Sequence, residues 1–186
     1  MIKKINSIYS LTTKGMGLIS NLDTLGSIKE LFRVSVILYV VREKDGIKEL
    51  LMQKRRRNPY KGEITTVSGK INPGEVAEEA AKRKLKEETG LNANFKVIGL
   101  IRKIRRNKKG DLIEDLFFNV CYAEDPRGDL INSNEFGENF WSSSKDALNY
   151  QSKSLSGGPK SKEVMTRVIK GNFNFFYFQE EVMLDA

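Results

Sequence analysis

The chain has 186 residues, of which 39% are hydrophobic and 30% charged, with 32 Lys and Arg against 24 Asp and Glu. This balance is typical of a soluble globular protein and excludes a disordered, collagen-like or disulfide-stabilised chain. Because the chain has no histidine, histidine triads, histidine general bases and histidine metal sites are excluded as well. The net charge of +8 leaves two interpretations open, contact with phosphates or a solvated basic surface.

No segment approaches the roughly 20 apolar residues of a membrane helix, since the longest run, 34–41, is short and contains Ser35. The first residues also lack the continuous apolar core of a secretion signal. We therefore expect a cytoplasmic protein that makes no membrane contact.

The predicted elements begin with an N-terminal extension, residues 1–30, which has a weak pattern and to which we assign no chemistry. Two apolar runs, 31–42 and 49–54, then flank a turn that ends in Asp45-Gly46. Asp-Gly between β-branched runs is a strong hairpin signal, so these runs predict a pair of antiparallel strands.

A second pair of strands is predicted over 95–106 and 112–123, where apolar side chains alternate with others. Cys121 falls in this pair. Since no histidine or other activating partner is near it, we interpret this cysteine as a small core residue and not as a nucleophile.

One clear helix is predicted over 75–89, a stretch rich in Ala, Glu, Lys and Leu that Gly90 ends. A short strand over 63–67 and a glycine-containing loop precede it, with Asn72 as the predicted helix cap. Later helices are predicted near 145–148 and 161–170. The mixed order predicts an α+β fold, an α/β/α sandwich over 31–170, with 171–186 as a C-terminal segment packing on that domain.

Three charged side chains of the predicted helix fall on its apolar half, namely Lys84, Glu87 and Glu88. Carboxylates that face inward need a compensating partner, because an unpaired buried charge costs several kcal/mol. A divalent cation or a basic side chain would serve. Carboxylates that follow a glycine loop favour Mg²⁺ bound to phosphates, while a capped and salt-bridged helix is the alternative.

The spacing of these residues resembles the signature of the Nudix hydrolases, G-x5-E-x7-R-E-U-x-E-E-x-G-U, in which U is apolar. Eight of its nine defined positions match, namely Gly69, Glu75, Arg83, Leu85, Glu87, Glu88, Gly90 and Leu91. The flanking residues Gln53-Lys54-Arg55, Gly62, Glu138 and Trp141 look like those of MutT-like members. The resemblance implies a mixed sheet between helices, in agreement with the predicted element order.

The ninth position departs from the family, because Lys84 stands where the signature has Glu. In the family that Glu helps to hold magnesium and in some members serves as the base. A protonated Lys84 at this catalytic position can do neither, and its ammonium could pair with Glu88, four residues on, and place a fixed cation in the metal site.

The resemblance implies a metal-activated water attacking a phosphorus atom, with Mg²⁺ or Mn²⁺ as the cofactor. Gly69, Glu87 and Glu88 would hold the ion, and Arg83 would orient Glu87 or pair with Glu79. Glu114 or Asp115 is the candidate for a further ligand or base, and a polar hairpin edge is the alternative interpretation of both.

Basic residues near the signature are candidates for substrate binding, namely Lys54, Arg55, Arg56 and Arg57 together with Gly69 and Lys70. A second basic cluster, 102–109, could bind polyphosphate or RNA or could protect an edge strand. The aromatic residues Tyr60, Phe95 and Trp141 could stack on a base or pack in the core.

The sequence thus favours a pyrophosphohydrolase that acts on a nucleoside di- or triphosphate derivative and that Lys84 impairs. The alternatives are a catalytically silent Nudix-fold protein that binds nucleotide or RNA, and a domain that only binds other proteins. The expected partner is a small nucleotide; RNA and a second copy of the chain stay open.

Overall fold

The structure, a computed structural model, describes residues 2–5, 8–11, 33–58, 60–154 and 158–184. Its elements in chain order are β1 (Ile2–Ile5), β2 (Ile8–Leu11), β3 (Arg33–Lys44), β4 (Ile47–Arg55), β5 (Ile64–Thr65), β6 (Ser68–Lys70), α1 (Ala77–Thr89), β7 (Lys96–Asn107), β8 (Leu112–Glu124), β9 (Gly137–Ser143), α2 (Ser144–Lys153), α3 (Gly158–Ile169) and β10 (Phe176–Leu184). The chain divides into two units, 1–32 and 33–186. In the first, β1 and β2 pair antiparallel, and the rest of the predicted extension lies outside the described residues.

The sheet of the second unit is built on the two predicted hairpins. β3 and β4 pair antiparallel around Asp45 and Gly46, whose φ angles of 52° and 73° suit a tight two-residue turn. β7 and β8 form the second antiparallel pair. β8 pairs parallel with β3 and β10 parallel with β7, which gives the order β10-β7-β8-β3-β4-β5, while β6 joins β3 and β9 joins β4. Both hairpin predictions are confirmed.

Helices cover both faces of this sheet. Alternation along β3 turns Val36, Leu38 and Val40 towards α1, where Leu85 is fully buried. Tyr39 and Val41 face the other side and pack with residues of α2 and α3. The predicted α/β/α sandwich around a mixed sheet is therefore confirmed.

The single cysteine lies in the layer between the sheet and α1. Cys121 is completely buried, and burial raises the pKa of its thiol to about 12. This position agrees with its interpretation as a core residue.

Several predicted boundaries were wrong around the glycine loop. The predicted strand 63–67 is shortened to β5, and a further strand, β6, forms within the predicted glycine loop, so Gly69 lies in a strand. Asn72 does not cap the helix. Its N–H donates instead to the Glu75 carboxylate at 2.9 Å, and the left-handed Gly74, with φ of 83°, separates that turn from α1.

The later elements are longer than predicted. Helix α2 extends beyond the predicted 145–148 at both ends, and α3 begins before residue 161. The aromatic C-terminal stretch forms β10. Since β10 pairs with β7 along its whole length, β7 is an inner strand and not an edge. Among the described residues, no helix combines the length and the apolar character that crossing a membrane requires.

Candidate active site

Helix α1 carries the acidic end of the signature. Glu78 and Glu79 in its first turn suit the positive end of the helix dipole. It ends at Gly90, whose φ of 78° lies in the left-handed region and whose N–H donates to the Lys86 carbonyl at 3.0 Å. A side chain would be strained at that position, so Gly90 fixes the helix end directly after its acidic last turn.

The ammonium of Lys84 contacts both acidic side chains of that turn. Its Nζ lies 2.9 Å from Glu87 Oε2 and 3.7 Å from Glu88 Oε1. The stem of Lys84 lies against Gly69, where an added Cβ would stand 2.5 Å from Lys84 Cδ. Two carboxylates therefore converge on one cation beside β6, and this cation belongs to the chain itself.

The backbone carbonyl of Glu88 accepts hydrogen bonds from two amide side chains, one in β9 and one just before it. Asn139 Nδ2 and Asn134 Nδ2 donate to the Glu88 carbonyl at 2.7 and 2.6 Å. Gln53 Nε2 donates to Glu88 Oε2 at 3.2 Å and to Asn139 Oδ1 at 3.1 Å. These bonds fix the position of a carboxylate that is itself buried.

The two carboxylates differ in their surroundings. Burial raises the pKa of Glu88, although the hydrogen bond from Gln53 and the charges of Lys84 and Arg55 oppose that shift. The hydrogen bond from Lys84 lowers the pKa of Glu87, whose side chain is 40% exposed. The site therefore combines one buried and one solvent-facing carboxylate.

Arg83 holds the turn that precedes the helix. Its Nε and Nη2 each donate to the Glu75 carboxylate at 2.7 Å, and Nη2 also donates to the Lys70 carbonyl at 3.1 Å. Its contact with Glu87 is longer, at 3.4 Å. The predicted pairing of Arg83 with Glu87 or Glu79 was thus incomplete. The turn before α1 brings the Glu75 carboxylate to the guanidinium of Arg83, which binds both carboxylate oxygens.

We expect this pair to make stability depend on pH in the acid range. The hydrogen bonds from Arg83 lower the pKa of Glu75 from 4.5 to about 2. The pair's contribution should be complete above pH 4.5 and decline as the pH falls towards 2, because the unfolded chain takes up this proton first. In urea unfolding across that window, the difference between wild type and Glu75→Gln should shrink.

The control for this experiment is Lys82→Gln, which changes an exposed side chain of the same helix and removes no carboxylate. Its difference from wild type should show no such decline in the same window. A constant difference for Glu75→Gln would contradict the assigned ion pair.

A cleft of about 220 Å³ lies on the side of the sheet that α2 and α3 cover, with Gln151 and Ser161 in its lining. Two of its residues are also close to the acidic turn: Gly69 lines the cleft and contacts Lys84, and Arg55 lines it while its charge acts on Glu88. The other charged side chains of this cleft, which we term the cationic cleft, are Arg33, Lys70, Lys103, Arg105 and Glu114.

The predicted substrate-binding residues divide into two groups. Arg55, Gly69 and Lys70 line the cationic cleft, whereas Lys54 and Arg56 do not. Lys54 is exposed. Arg56 binds Glu138 at 3.1 Å and Arg57 binds Glu135, and all four side chains are on the surface, just after β4 ends at Arg55.

The structure does not bring Glu114 together with Glu87 and Glu88. Glu114 lies in the cationic cleft and binds Arg33 and Arg105. Burial acts against its ionisation, yet the hydrogen bonds from the two arginines outweigh burial and lower the pKa of Glu114. Within the described ranges, no three His, Cys, Asp or Glu side chains are grouped so that they could hold a metal ion.

Asp115 follows on the opposite face of β8. It binds Arg102 at 2.7 Å and does not line the cleft. The alternation of the strand therefore separates these two neighbouring acids.

The second basic cluster does not form a solvated stripe. Lys103 and Arg105 are buried, and Arg102 and Arg106 bind Asp115 and Glu181. The interpretation of this cluster as edge protection was wrong, because β10 covers the strand that carries it.

The three candidate aromatic residues have different surroundings. Tyr60 lines the cationic cleft, and Phe95 is part of the core under α1. Trp141 packs against that core and stacks with Arg42, whose guanidinium carbon is 4.3 Å from the ring centroid. Of the three, Tyr60 is the one that faces a ligand-sized space.

The donor set at α1 can be compared with the needs of a divalent ion. Glu87 and Glu88 with the backbone carbonyl of Gly69 offer oxygen atoms, which are the ligands that Mg²⁺ prefers. Lys84 stands among them, 2.9 and 3.7 Å from the two carboxylates. The donors fit a divalent ion in their chemistry, but that ion has to displace an internal competitor.

Sequence reasoning missed Asn134 and Asn139, which hold the backbone of Glu88. No motif identifies them. Asn139 stands directly opposite Gln53 in the β4–β9 ladder, so its role becomes visible only when that strand pairing is known. Arg33 and Arg105 were missed as cleft residues for the same reason.

The chain is similar in sequence to known proteins. The family model of the NUDIX domain matches residues 31–167. The ADP-ribose pyrophosphatase of Methanocaldococcus jannaschii is 33% identical over 114 residues, which are 58% of this chain and 68% of that protein.

Two solved structures share the fold. The MutT protein of Bacillus halodurans has a TM-score of 0.68 at 18% identity, covering 83% of this chain and 92% of that one. The NUDIX domain of Shewanella oneidensis NrtR, crystallised with ADP ribose, has a TM-score of 0.62 at 16% identity, covering 85% and 99%. With the domain match spanning most of its length, the chain belongs to the Nudix hydrolase family.

Proposed function

We propose that this chain binds a nucleoside diphosphate derivative of the ADP-ribose kind and hydrolyses its pyrophosphate linkage with Mg²⁺ or Mn²⁺. The observation that carries the proposal is the convergence of Glu87 and Glu88 on one cation beside Gly69. The similarity to an ADP-ribose pyrophosphatase supports this substrate class.

Each group of the site has a role in this proposal. Glu87, Glu88 and the Gly69 carbonyl would hold the ion, which when bound would supply an activated water and charge neutralisation at the phosphates. Arg83 keeps Glu75 and the Lys70 carbonyl in place. Arg55 and Lys70 in the cationic cleft would bind phosphate oxygens through charge-assisted hydrogen bonds.

Lys84 sets the limit on this activity. Its ammonium already pairs with both carboxylates that would bind the ion, so ion binding must break both ion pairs. We therefore expect a higher metal requirement and slower turnover than a Glu at position 84 would give.

The same contact favours a second candidate function, nucleotide binding without hydrolysis. In that case Lys84 would act as a permanent counter-charge and the cationic cleft would still receive the anionic ligand. Nucleotide is a better candidate than RNA for this role, because Lys103 and Arg105 of the second basic cluster are buried.

Product release and ligand binding, measured side by side, separate these functions. We expect AMP release from ADP-ribose that depends on Mg²⁺ or Mn²⁺, with nucleoside triphosphates, dinucleoside polyphosphates and sugar nucleotides as the comparison panel. Glu88→Gln should abolish turnover, while the matched control Glu78→Gln on the same helix should retain it. Binding without turnover would establish the second candidate, and neither binding nor turnover would contradict both.

A further inference from the structure

The cationic cleft contains one acidic side chain within the described part of the chain, and two arginines share it. Glu114 Oε1 binds Arg33 Nη2, and Glu114 Oε2 binds Arg105 Nη1. The Tyr60 hydroxyl also donates to Oε2 at 3.4 Å. One carboxylate therefore bridges the two guanidinium groups.

Basic side chains outnumber acidic ones in the lining of this cleft. Arg55 and Lys70 line it, and so does Lys103, whose Nζ lies 3.1 Å from Glu180 Oε1. Among the described residues, five basic side chains and one acidic side chain thus form the lining. Such a lining attracts anions.

The cleft also holds its arginines in a fixed geometry. Arg105 is 4% exposed and lies over the ring of Tyr60, 5.1 Å from the centroid. Tyr60 has a φ of 66°, a left-handed conformation that is uncommon for residues with a side chain. The loop thus keeps the aromatic ring against the guanidinium, and Arg105 presents a preorganised donor to Glu114.

The walls of the cleft strengthen its electrostatic field. Ile37, Leu116 and Phe118 form an apolar part of the lining, and apolar walls reduce the screening of nearby charges. The basic lining and the apolar walls together favour a phosphate group over a neutral base.

We propose that the cationic cleft is a phosphate-binding site in which Glu114 occupies the position of the ligand until a phosphate replaces it between Arg33 and Arg105. If the proposed function holds, the substrate is then a nucleoside diphosphate derivative that carries a further phosphate group beyond the scissile linkage. The identity of the substrate rests on the proposed function, but phosphate binding by the cleft does not.

Calorimetric titration of the full chain with inorganic pyrophosphate, in EDTA and at low ionic strength, tests this site without any turnover. Glu114→Gln should tighten pyrophosphate binding about tenfold, because the internal competitor loses its charge. The matched control is Asp115→Asn, which removes the adjacent carboxylate on the opposite face of β8 and should leave binding unchanged.

Glu114→Gln removes the counter-charge of the buried Arg105 and could prevent folding, so a second variant is needed. The Arg33 side chain is 44% exposed, so Arg33→Gln should fold and should weaken pyrophosphate binding about fivefold. Arg42→Gln, on the same strand and paired with Glu49, is its control. Equal binding by wild type and Arg33→Gln, or weaker binding by folded Glu114→Gln, would overturn the site.

The outcomes also separate this inference from the proposed function. If pyrophosphate binding follows the variants while no nucleotide is hydrolysed, the phosphate site stands and the hydrolase proposal fails. If nucleotides are hydrolysed while the variants bind pyrophosphate like wild type, the hydrolase proposal stands and the phosphate site fails.

Discussion

Lys84→Glu is expected to bind Mn²⁺ about 100-fold more tightly than the wild-type chain, because it reverses a charge a few ångströms from two carboxylates. The ammonium that now contacts Glu87 and Glu88 would be replaced by a third oxygen donor at the same helix turn. Titration of Mn²⁺ followed by electron paramagnetic resonance measures the affinity directly.

The control for this variant is Lys82→Glu, which makes the same charge change on an exposed position of α1. It should alter Mn²⁺ affinity by less than about threefold, since screening weakens the effect of a distant surface charge. If Lys82→Glu and Lys84→Glu had equal effects, overall charge and not the site would explain the result.

Turnover of the same variant distinguishes the two candidate functions. Activity that arises only in Lys84→Glu would identify the wild-type chain as a nucleotide-binding protein. Unchanged turnover would mean that a carboxylate elsewhere supplies the chemistry and that Lys84 does not obstruct it. An increase from a measurable wild-type rate would support a hydrolase limited by its lysine.

Lys103→Met is expected to cost about 3–5 kcal/mol in the free energy of unfolding, because it leaves the Glu180 carboxylate buried without its counter-charge. Both side chains are almost fully buried, that of Lys103 being 2% and that of Glu180 7% exposed. Lys103 Nζ lies 3.1 Å from Glu180 Oε1. Lys103→Met combined with Glu180→Leu should recover most of the loss, since an apolar pair has no desolvation cost. Chemical denaturation at neutral pH measures all three proteins.

The neighbouring ion pair of the same two strands provides the control. Arg106 and Glu181 also join β7 to β10, but their side chains are 36% and 53% exposed. Arg106→Met should therefore cost no more than about 1 kcal/mol. A similar loss for Lys103→Met and Arg106→Met would mean that burial does not determine the strength of these contacts.

The strands and the signature helix could be predicted because their signals are local. Asp45-Gly46 between β-branched runs and the alternation in 112–123 depend on neighbouring residues alone. The contact of Lys84 with Glu88 was also foreseeable, since residues four apart meet on one helix face. Local periodicity thus accounts for the hairpins and for the acidic turn of α1.

The surroundings of the second basic cluster could not be predicted in this way. Lys103 and Arg105 continue the inward-facing alternation of Ile101, but the four other basic residues of 102–109 suggested an exposed surface. What buries Lys103 is β10, which pairs with β7 from about 75 residues further along the chain. No spacing within 102–109 contains that information.

The cationic cleft was missed for a related reason. Glu114 was predicted as a metal ligand from its place near a turn, and its two arginines come from β3 and β7. Arg33 is 81 residues away in sequence, so a strand order was needed before the three side chains could be placed together. Local sequence patterns cannot predict a site whose residues are brought together by pairing between distant strands.

The buried thiol beneath α1 offers a built-in reporter of how that helix moves. Cys121 is the chain's one cysteine, lies under the helix that carries Glu87 and Glu88, and is fully shielded from solvent. An alkylating reagent can react with it only while the helix and sheet separate, since the reactive form is a solvent-accessible thiolate. Its sulfur lies 3.9 Å from the Ala77 carbonyl, so the rate of labelling reports how often the N-terminal end of α1 separates from the sheet.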